Sequence, residues 1–469
     1  LGSVNSIREE LLAYMNRNQM IHSHFAELAG LNSGTLSRIL KGKHPISMAQ
    51  LAAITAGMKL PEDYFFEDYV EECFSFVVSM RRIRPFIFRS AELERLDCLE
   101  QIVNRLLEDL SYASLLFEFA ELFYEDNKSK AARILYQGVS EAEKYQHSER
   151  LALCQYRIFQ IELEEQQDLE EKLRAATQFE LYVNRLDAAD QLDAMKQLMH
   201  IYGLVHKWKR VDELAKEMHR IASVQYELEG RRANTIEERV KRPDRPFYYY
   251  ILYAYLARST ASEECGDYKR ALSFVKLYAN GERWVQENDE ESRQVIAQFT
   301  EWAVANTYLY RLMSGDLDVI HEYADYIAIQ EDEIFVAVRY MVQAANIFKL
   351  NIDSILERFA AYIPYESSKT EFGEYNQAIL QESYAQFLID LAVYFFNHSK
   401  SKEQALNTVL KGLEISIRIN SSRNMIACMT LFEQYRDFAD QELQERFKNL
   451  SSEVCRLNAK KSLVLLDAL

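Results

Sequence analysis

YAYLARSTASEECGDYKRALSFVKLYA, residues 253–279, decides how the chain is read. Two apolar runs flank Gly266, and Tyr268 and Ala271 stand just beyond that turn. A small residue where two helices approach closely, and an apolar stripe to bury on a neighbour, are what a stacked helical hairpin needs. Weaker copies lie on both sides. LYRLMSGDLDVIHEYADYI (309–327) places Gly315, Leu317 and Ile320 at the same spacing. FEFAELFYEDNKSKAARILYQGVSEAE (117–143) offers Ala132, Leu135, Val139 and Ala142 on one face. IYGLVHKWKRVDELAKEMHRIA (201–222) offers Val211, Leu214, Met218 and Ile221, and VYFFNHSKSKEQALNTVLKGLEIS (393–416) offers Ala405, Val409 and Leu413. Apolar residues recurring at helical spacing point to a series of amphipathic helices.

Composition agrees with that reading. A chain of 469 residues is too long for one compact core and calls for several units or a repeating one. It has 13 Gly and 6 Pro, the prolines at 45, 61, 85, 243, 246 and 364, so long spans lack punctuation. That suits helices and is poor for an all-β fold. Hydrophobic residues make up 48%, including 29 Tyr and 25 Phe, which is ample apolar surface to bury. Cysteines at 73, 98, 154, 265, 428 and 455 form no CxxC pair, a usage that fits free thiols in a reducing cytoplasm. No apolar run approaches the roughly 20 residues a membrane helix requires.

Signals of chemistry are missing. The chain lacks GxxxxGK[ST], GxSxG, HExxH and DxDxDG, and no GxGxxG follows a strand. His200 and His206 do not have the i, i+4 spacing that presents two ligands on one face, so no metal, no cofactor and no enzyme activity is expected. The acids Glu162, Glu164, Glu165, Glu170 and Glu171 read as a solvated helix face.

Charge divides the chain. The whole carries −17, from 55 Lys plus Arg against 72 Asp plus Glu. Residues 1–60 hold Arg8, Arg17, Arg38, Lys41, Lys43 and Lys59 against Glu9, Glu10 and Glu27, a net of +3 that leaves −20 for the other 409 residues. A small basic head on an acidic body implies different partners for the two parts. Helix signals in the head come quickly. Ser6 with Glu9 opens a first helix as a capping box, and Gly30 stops a second. Asn32 or Ser33 caps a third that Gly42 ends, Ser47 with Gln50 caps a fourth, and Pro61 precedes a fifth. Phe25, Leu28, Leu31, Leu36, Ile39, Ile46, Leu51 and Ile54 are the expected core of this head.

Within FAELAGLNSGTLSRILKGK (25–43), Ala26, Gly30 and Leu36 match the small residue, turn glycine and buried aliphatic of helix-turn-helix domains, and the segment resembles their Xre/Cro group. The resemblance implies that the second helix of the pair enters the major groove. Carried over by position, Ser33, Thr35, Ser37 and Arg38 face the bases, while Lys41, Lys43 and the helix start at Asn32 hold phosphates. Ser33 and Leu40 depart from a pattern that often has Gln and Glu there, so the usual bidentate adenine reader is missing. Read without the resemblance, the same cations are merely the solvated face of a small bundle.

The segment 253–279 and its weaker copies, over residues 110–420, resemble degenerate tetratricopeptide hairpins. Such solenoids bind extended peptides along the inner face formed by the first helix of each hairpin. In IFVAVRYMVQAANIF (334–348), Arg339, Gln343 and Asn346 lie at i, i+4 and i+7, one polar stripe on an otherwise apolar and aromatic helix. Amides that donate and accept suit a peptide main chain, and an arginine suits a peptide carboxylate. Phasing from Gly315 adds Asn306 and, further along, Arg311; Asn376 and Tyr384 sit on another first helix. Each reads equally as a solvent-facing or interhelical residue.

The order of parts is all-α: a helix-turn-helix head (1–70), a linker with connecting helices (71–109), a superhelical solenoid (110–420) and capping or dimerisation helices (421–469) with Leu463, Val464, Leu465 and Leu466. MRRIRPFIFR (80–89) reads as polar linker, with flanking-phosphate contact as the alternative, and KRPDRPF (241–247) as a rigid loop. This order resembles the RRNPP-type peptide receptors of Gram-positive bacteria, and their arbitrium-receptor-like branch in length. The resemblance implies a cytoplasmic, homodimeric transcription regulator that binds operator DNA and a short linear signalling peptide. Two other readings stay open: a peptide-gated protein adaptor whose head only dimerises, and a constitutive repressor without a peptide.

Overall fold

The computed structural model describes residues 7–165, 168–232, 241–285, 289–363, 374–398 and 401–467. Among them there is no strand. The chain divides into two compact units, Leu1–Ile201 and Tyr202–Leu469.

The first unit opens with five helices, α1 (Ile7–Arg17), α2 (His22–Leu28), α3 (Ser33–Leu40), α4 (Met48–Gly57) and α5 (Phe66–Phe74). It continues through α6 (Met80–Glu92), α7 (Leu96–Leu106), α8 (Ala113–Glu125), α9 (Ser129–Ala142), α10 (Glu149–Glu165), α11 (Leu169–Phe179) and α12 (Ala188–Leu204), whose last turn crosses the boundary. One hydrophobic core runs from Ile7 to Ile161 without a break. Residues 80–89, read as linker, instead form most of α6: Ile83, Phe86 and Ile87 are buried, with Pro85 in the second turn. Three of the four arginines there are engaged. Arg82 donates to the Cys73 carbonyl (2.7 Å), Arg89 grips Glu62 with two bonds of 2.6 Å, and Arg84 lies over the rings of Phe88 and Phe119. The apolar spacing of Ile83, Phe86 and Ile87 outweighs the polar look of the segment.

The second unit holds α13 (Trp208–Arg232), α14 (Phe247–Glu264), α15 (Tyr268–Tyr278), α16 (Glu290–Met313), α17 (Val319–Ile327) and α18 (Glu331–Phe348). Then come α19 (Asp353–Arg358), α20 (Glu374–His398), α21 (Lys402–Arg418), α22 (Ser422–Gln434) and α23 (Gln441–Asp467). From α13 to α18, and from α20 to α22, each helix packs on its chain neighbour, the local rule of a hairpin stack. Ala271, Ala405, Val409 and Leu413 are fully buried as their stripes require. Around α20–α23, Phe396 stacks on Tyr435 and Phe432 on Phe447, with ring centroids 3.7 and 4.0 Å apart. The side chains of Leu463–Leu466 lie outside the described residues.

Helix ends explain why the repeats look degenerate. Gly266 and Gly315 end their helices with positive φ, as expected. At other ends the left-handed position is taken by Asn127, His206, Lys349 and Asn420. The turn is kept while its glycine is not, because a single left-handed residue costs only about 1–2 kcal/mol against Cβ crowding. Lys349, at φ 57° and ψ 44° after α18, shows the consequence. Lys349→Gly is expected to stabilise the second unit by about 0.5–1 kcal/mol. All three tryptophans, 208, 284 and 302, lie in that unit, so urea unfolding followed by tryptophan fluorescence reads it directly.

Candidate nucleic-acid and peptide sites

Helices α2 and α3 pack on each other across a tight turn, in which Gly30 has φ +67°. Any side chain there is strained, although no atom lies within 4 Å of where a Cβ would sit. Asn32 caps α3: its Oδ1 accepts from the Gly34 N–H (2.9 Å) and the Thr35 N–H (3.2 Å). The first of these bonds occupies the Gly34 amide, part of the helix start expected to meet a phosphate, so an anion at this end competes with the Asn32 side chain or meets Ser33. Asn32→Ala should cost about 1 kcal/mol through the lost cap, visible as faster amide exchange at Gly34 and Thr35.

Leu36 and Ile39 point α3 into the core, while Asn32, Ser33, Arg38, Lys41 and Lys43 are exposed. Thr35 and Ser37 are half-buried, and Arg38 reaches Thr35 Oγ1 at 3.4 Å. Arg38, Lys41 and Lys43 make no ion pair among the described residues. Many other arginines of this chain do, as Arg89 and Arg95 of the same unit show. Ser47 and Gln50 form the expected capping box. Ser6 lies outside the described residues. Leu28, expected in the core, is 49% exposed, because α2 ends on it before the turn.

In the second unit, the α18 stripe meets α20. Gln343 Nε2 donates to Asp390 Oδ2 (3.1 Å), and Asn346 Nδ2 donates to the Asp390 carbonyl (2.8 Å). Gln386 Nε2 supports the other carboxylate oxygen at 3.3 Å. Burial holds the Asp390 carboxyl above its usual range, against the pull of Gln343, Gln386, Arg339 and Arg423. Arg339 lies 4.7 Å over the Tyr340 ring and forms no ion pair among the described residues. Its Nε and the Asn346 Oδ1 are buried without hydrogen-bond partners. Tyr384 is buried on α20 against Phe335 of α18, ring centroids 5.8 Å apart.

The remaining expected peptide residues do not join this cluster. Arg311 is neutralised by Asp316 at 2.7 Å, and Asn306 donates to Tyr278 Oη at 2.8 Å between α16 and α15. Asn376 falls in α20, its side chain outside the described residues.

Sequence reading missed a second carboxylate. Glu263, at the end of α14, accepts from Tyr310 Oη of α16 (2.7 Å) and from Tyr340 Oη of α18, while Ser259 Oγ lies 3.2 Å from Tyr310 Oη. Burial raises the Glu263 carboxyl above its ordinary value, opposed by the two tyrosine hydrogen bonds and by Arg339. Three helices thus meet on one acid. Asp390 could have been found as a lone charge in the apolar run QFLIDLAVYFF (386–396); Glu263, inside SEEC, carries no such signal.

No family model matches the chain, and no curated protein matches its sequence at a significant level.

Proposed function

We propose that this protein is a peptide-responsive, DNA-binding transcription regulator. In this reading α2 and α3 are a helix-turn-helix pair at the head of a tetratricopeptide-like solenoid, the protein acts as a cytoplasmic homodimer, and a short linear peptide binds the solenoid. The supporting observation is the contrast at α3: Arg38, Lys41 and Lys43 stay exposed and unpaired in a chain that is otherwise acidic and laced with ion pairs. An acidic protein that leaves cations uncompensated beside one helix has the electrostatic footprint of a phosphate-binding surface. For the peptide, the Arg339 Nε–H donor and the Asn346 Oδ1 acceptor complement the carbonyl and N–H of a main chain. Both side chains are half-buried. Arg311, held by Asp316, is the poorer carboxylate partner of the two arginines.

The test is a salt titration of binding to duplex fragments flanking the chain's own gene, repeated with synthetic peptides encoded beside it. A steep salt dependence on one fragment, shifted by one peptide, supports the whole reading. DNA binding that no peptide shifts favours a constitutive repressor. No binding at any salt favours the peptide-gated adaptor.

A further inference from the structure

Arg8, counted by charge among the cations of the basic head, is turned inward. Its guanidinium forms a two-pronged ion pair with Glu72 of α5, both bonds 2.6 Å long. The Arg8 side chain is 16% exposed and that of Glu72 is 5%. Arg8 also donates from Nε to the Ile39 carbonyl (2.8 Å) and from Nη2 to the His44 carbonyl (3.3 Å). Glu72 Oε1 accepts the Ile46 N–H at 3.0 Å, and Tyr69 Oη donates to the Ile46 carbonyl at 2.9 Å. The chain from the end of α3 to the start of α4, which carries Lys41 and Lys43, is therefore tied down at residues 39, 44 and 46.

A buried ion pair is weak evidence of stability, since well-packed apolar groups of similar volume often do as well. What apolar groups do not supply is direction: they cannot hold two carbonyls and an N–H at set points. We infer that Arg8 and Glu72 are positioning residues for the nucleic-acid-contacting segment, fixing the path of residues 39–46 and so the places of Lys41 and Lys43 beside α3. The inference rests on the DNA-binding reading above, and it brings Glu72, from beyond the expected head boundary at residue 70, into the working part of the head.

Two variants of the full chain test it. Arg8→Lys keeps the charge but cannot hold Glu72 and both carbonyls together. Glu72→Gln keeps an acceptor for Ile46 but loses the ionic grip. In both, amide exchange at 41–46 should accelerate at least about tenfold while α2 and α4 keep their protection. Affinity for the best-binding flanking duplex should fall about tenfold. The loss caused by Lys41→Ala with Lys43→Ala should shrink in the Arg8→Lys background, because lysines already displaced have less to lose. Unchanged exchange at 41–46, equal acceleration across α1–α5, or strictly additive losses would each overturn the positioning role. A wild type that binds no duplex fails on the DNA reading, whereas one that binds but shows additive variants fails on this inference, so the two failures are told apart.

Discussion

Alanine at Arg38 is expected to weaken binding to the preferred duplex by about 1–3 kcal/mol, roughly 5- to 150-fold, and to relax discrimination at one base position. Arg38 is exposed on α3, forms no ion pair, and makes a single long bond of 3.4 Å to Thr35. Little inside the protein therefore changes when it is removed, and stability should stay within about 0.5 kcal/mol. Lys41→Ala with Lys43→Ala should behave differently. If each lysine neutralises one phosphate, the slope of log affinity against log salt falls by about 2, and all sequences lose affinity alike. Fluorescence anisotropy over a salt series separates the two cases. An unchanged slope for the lysine pair and unchanged affinity for Arg38→Ala would return these cations to a solvated face.

The second large effect belongs to Glu263. Glu263→Ala removes the acceptor of two tyrosine hydroxyls, those of fully buried Tyr310 and nearly buried Tyr340. A buried donor without a partner costs about 1–3 kcal/mol, so a loss of about 2–4 kcal/mol in the second unit is expected. Glu263→Gln keeps one acceptor oxygen and should lose less. The pH dependence has a definite sign. The folded carboxyl titrates above the unfolded one, so below about pH 4 both states are protonated and the group's contribution is complete. As pH rises through the unfolded and then the raised folded value, the unfolded state gives up its proton first, and wild type loses stability relative to Glu263→Gln. Urea melts by tryptophan fluorescence from pH 3 to pH 8 would show the gap changing in that direction. A gap independent of pH would mean that the folded carboxyl is not held above its ordinary value.

The all-helical class was legible from sparse glycine and proline and from stripes such as Ala405, Val409 and Leu413, because helical periodicity is written locally. The capping residues of the head were legible for the same reason: Asn32 and Ser47 act within three residues of themselves. Local rules failed where a non-local partner decides. The run at 80–89 looked like a polar linker until Arg82 met Cys73 and Arg89 met Glu62. Arg8 looked like a surface cation, and only Glu72, 64 residues on, shows otherwise. Of the expected peptide residues, the i, i+4, i+7 stripe did share one face, but Arg311 found Asp316 and Asn306 found Tyr278.

The sequence by itself determined the all-helical class, the caps at Asn32 and Ser47 and the charge contrast between head and body, since each depends on residues close along the chain. Only the tertiary structure decided which charges remain free. Ion pairing across tens of residues spends Arg8 and Arg89 on the fold, the Cys73 carbonyl nine residues away takes Arg82, and Arg38, Lys41 and Lys43 are left to solvent. It also gathers Glu263, Tyr310 and Tyr340 from three helices onto one carboxylate. A charge becomes available for a partner only when no internal group of opposite sign reaches it, and that depends on packing rather than on local spacing.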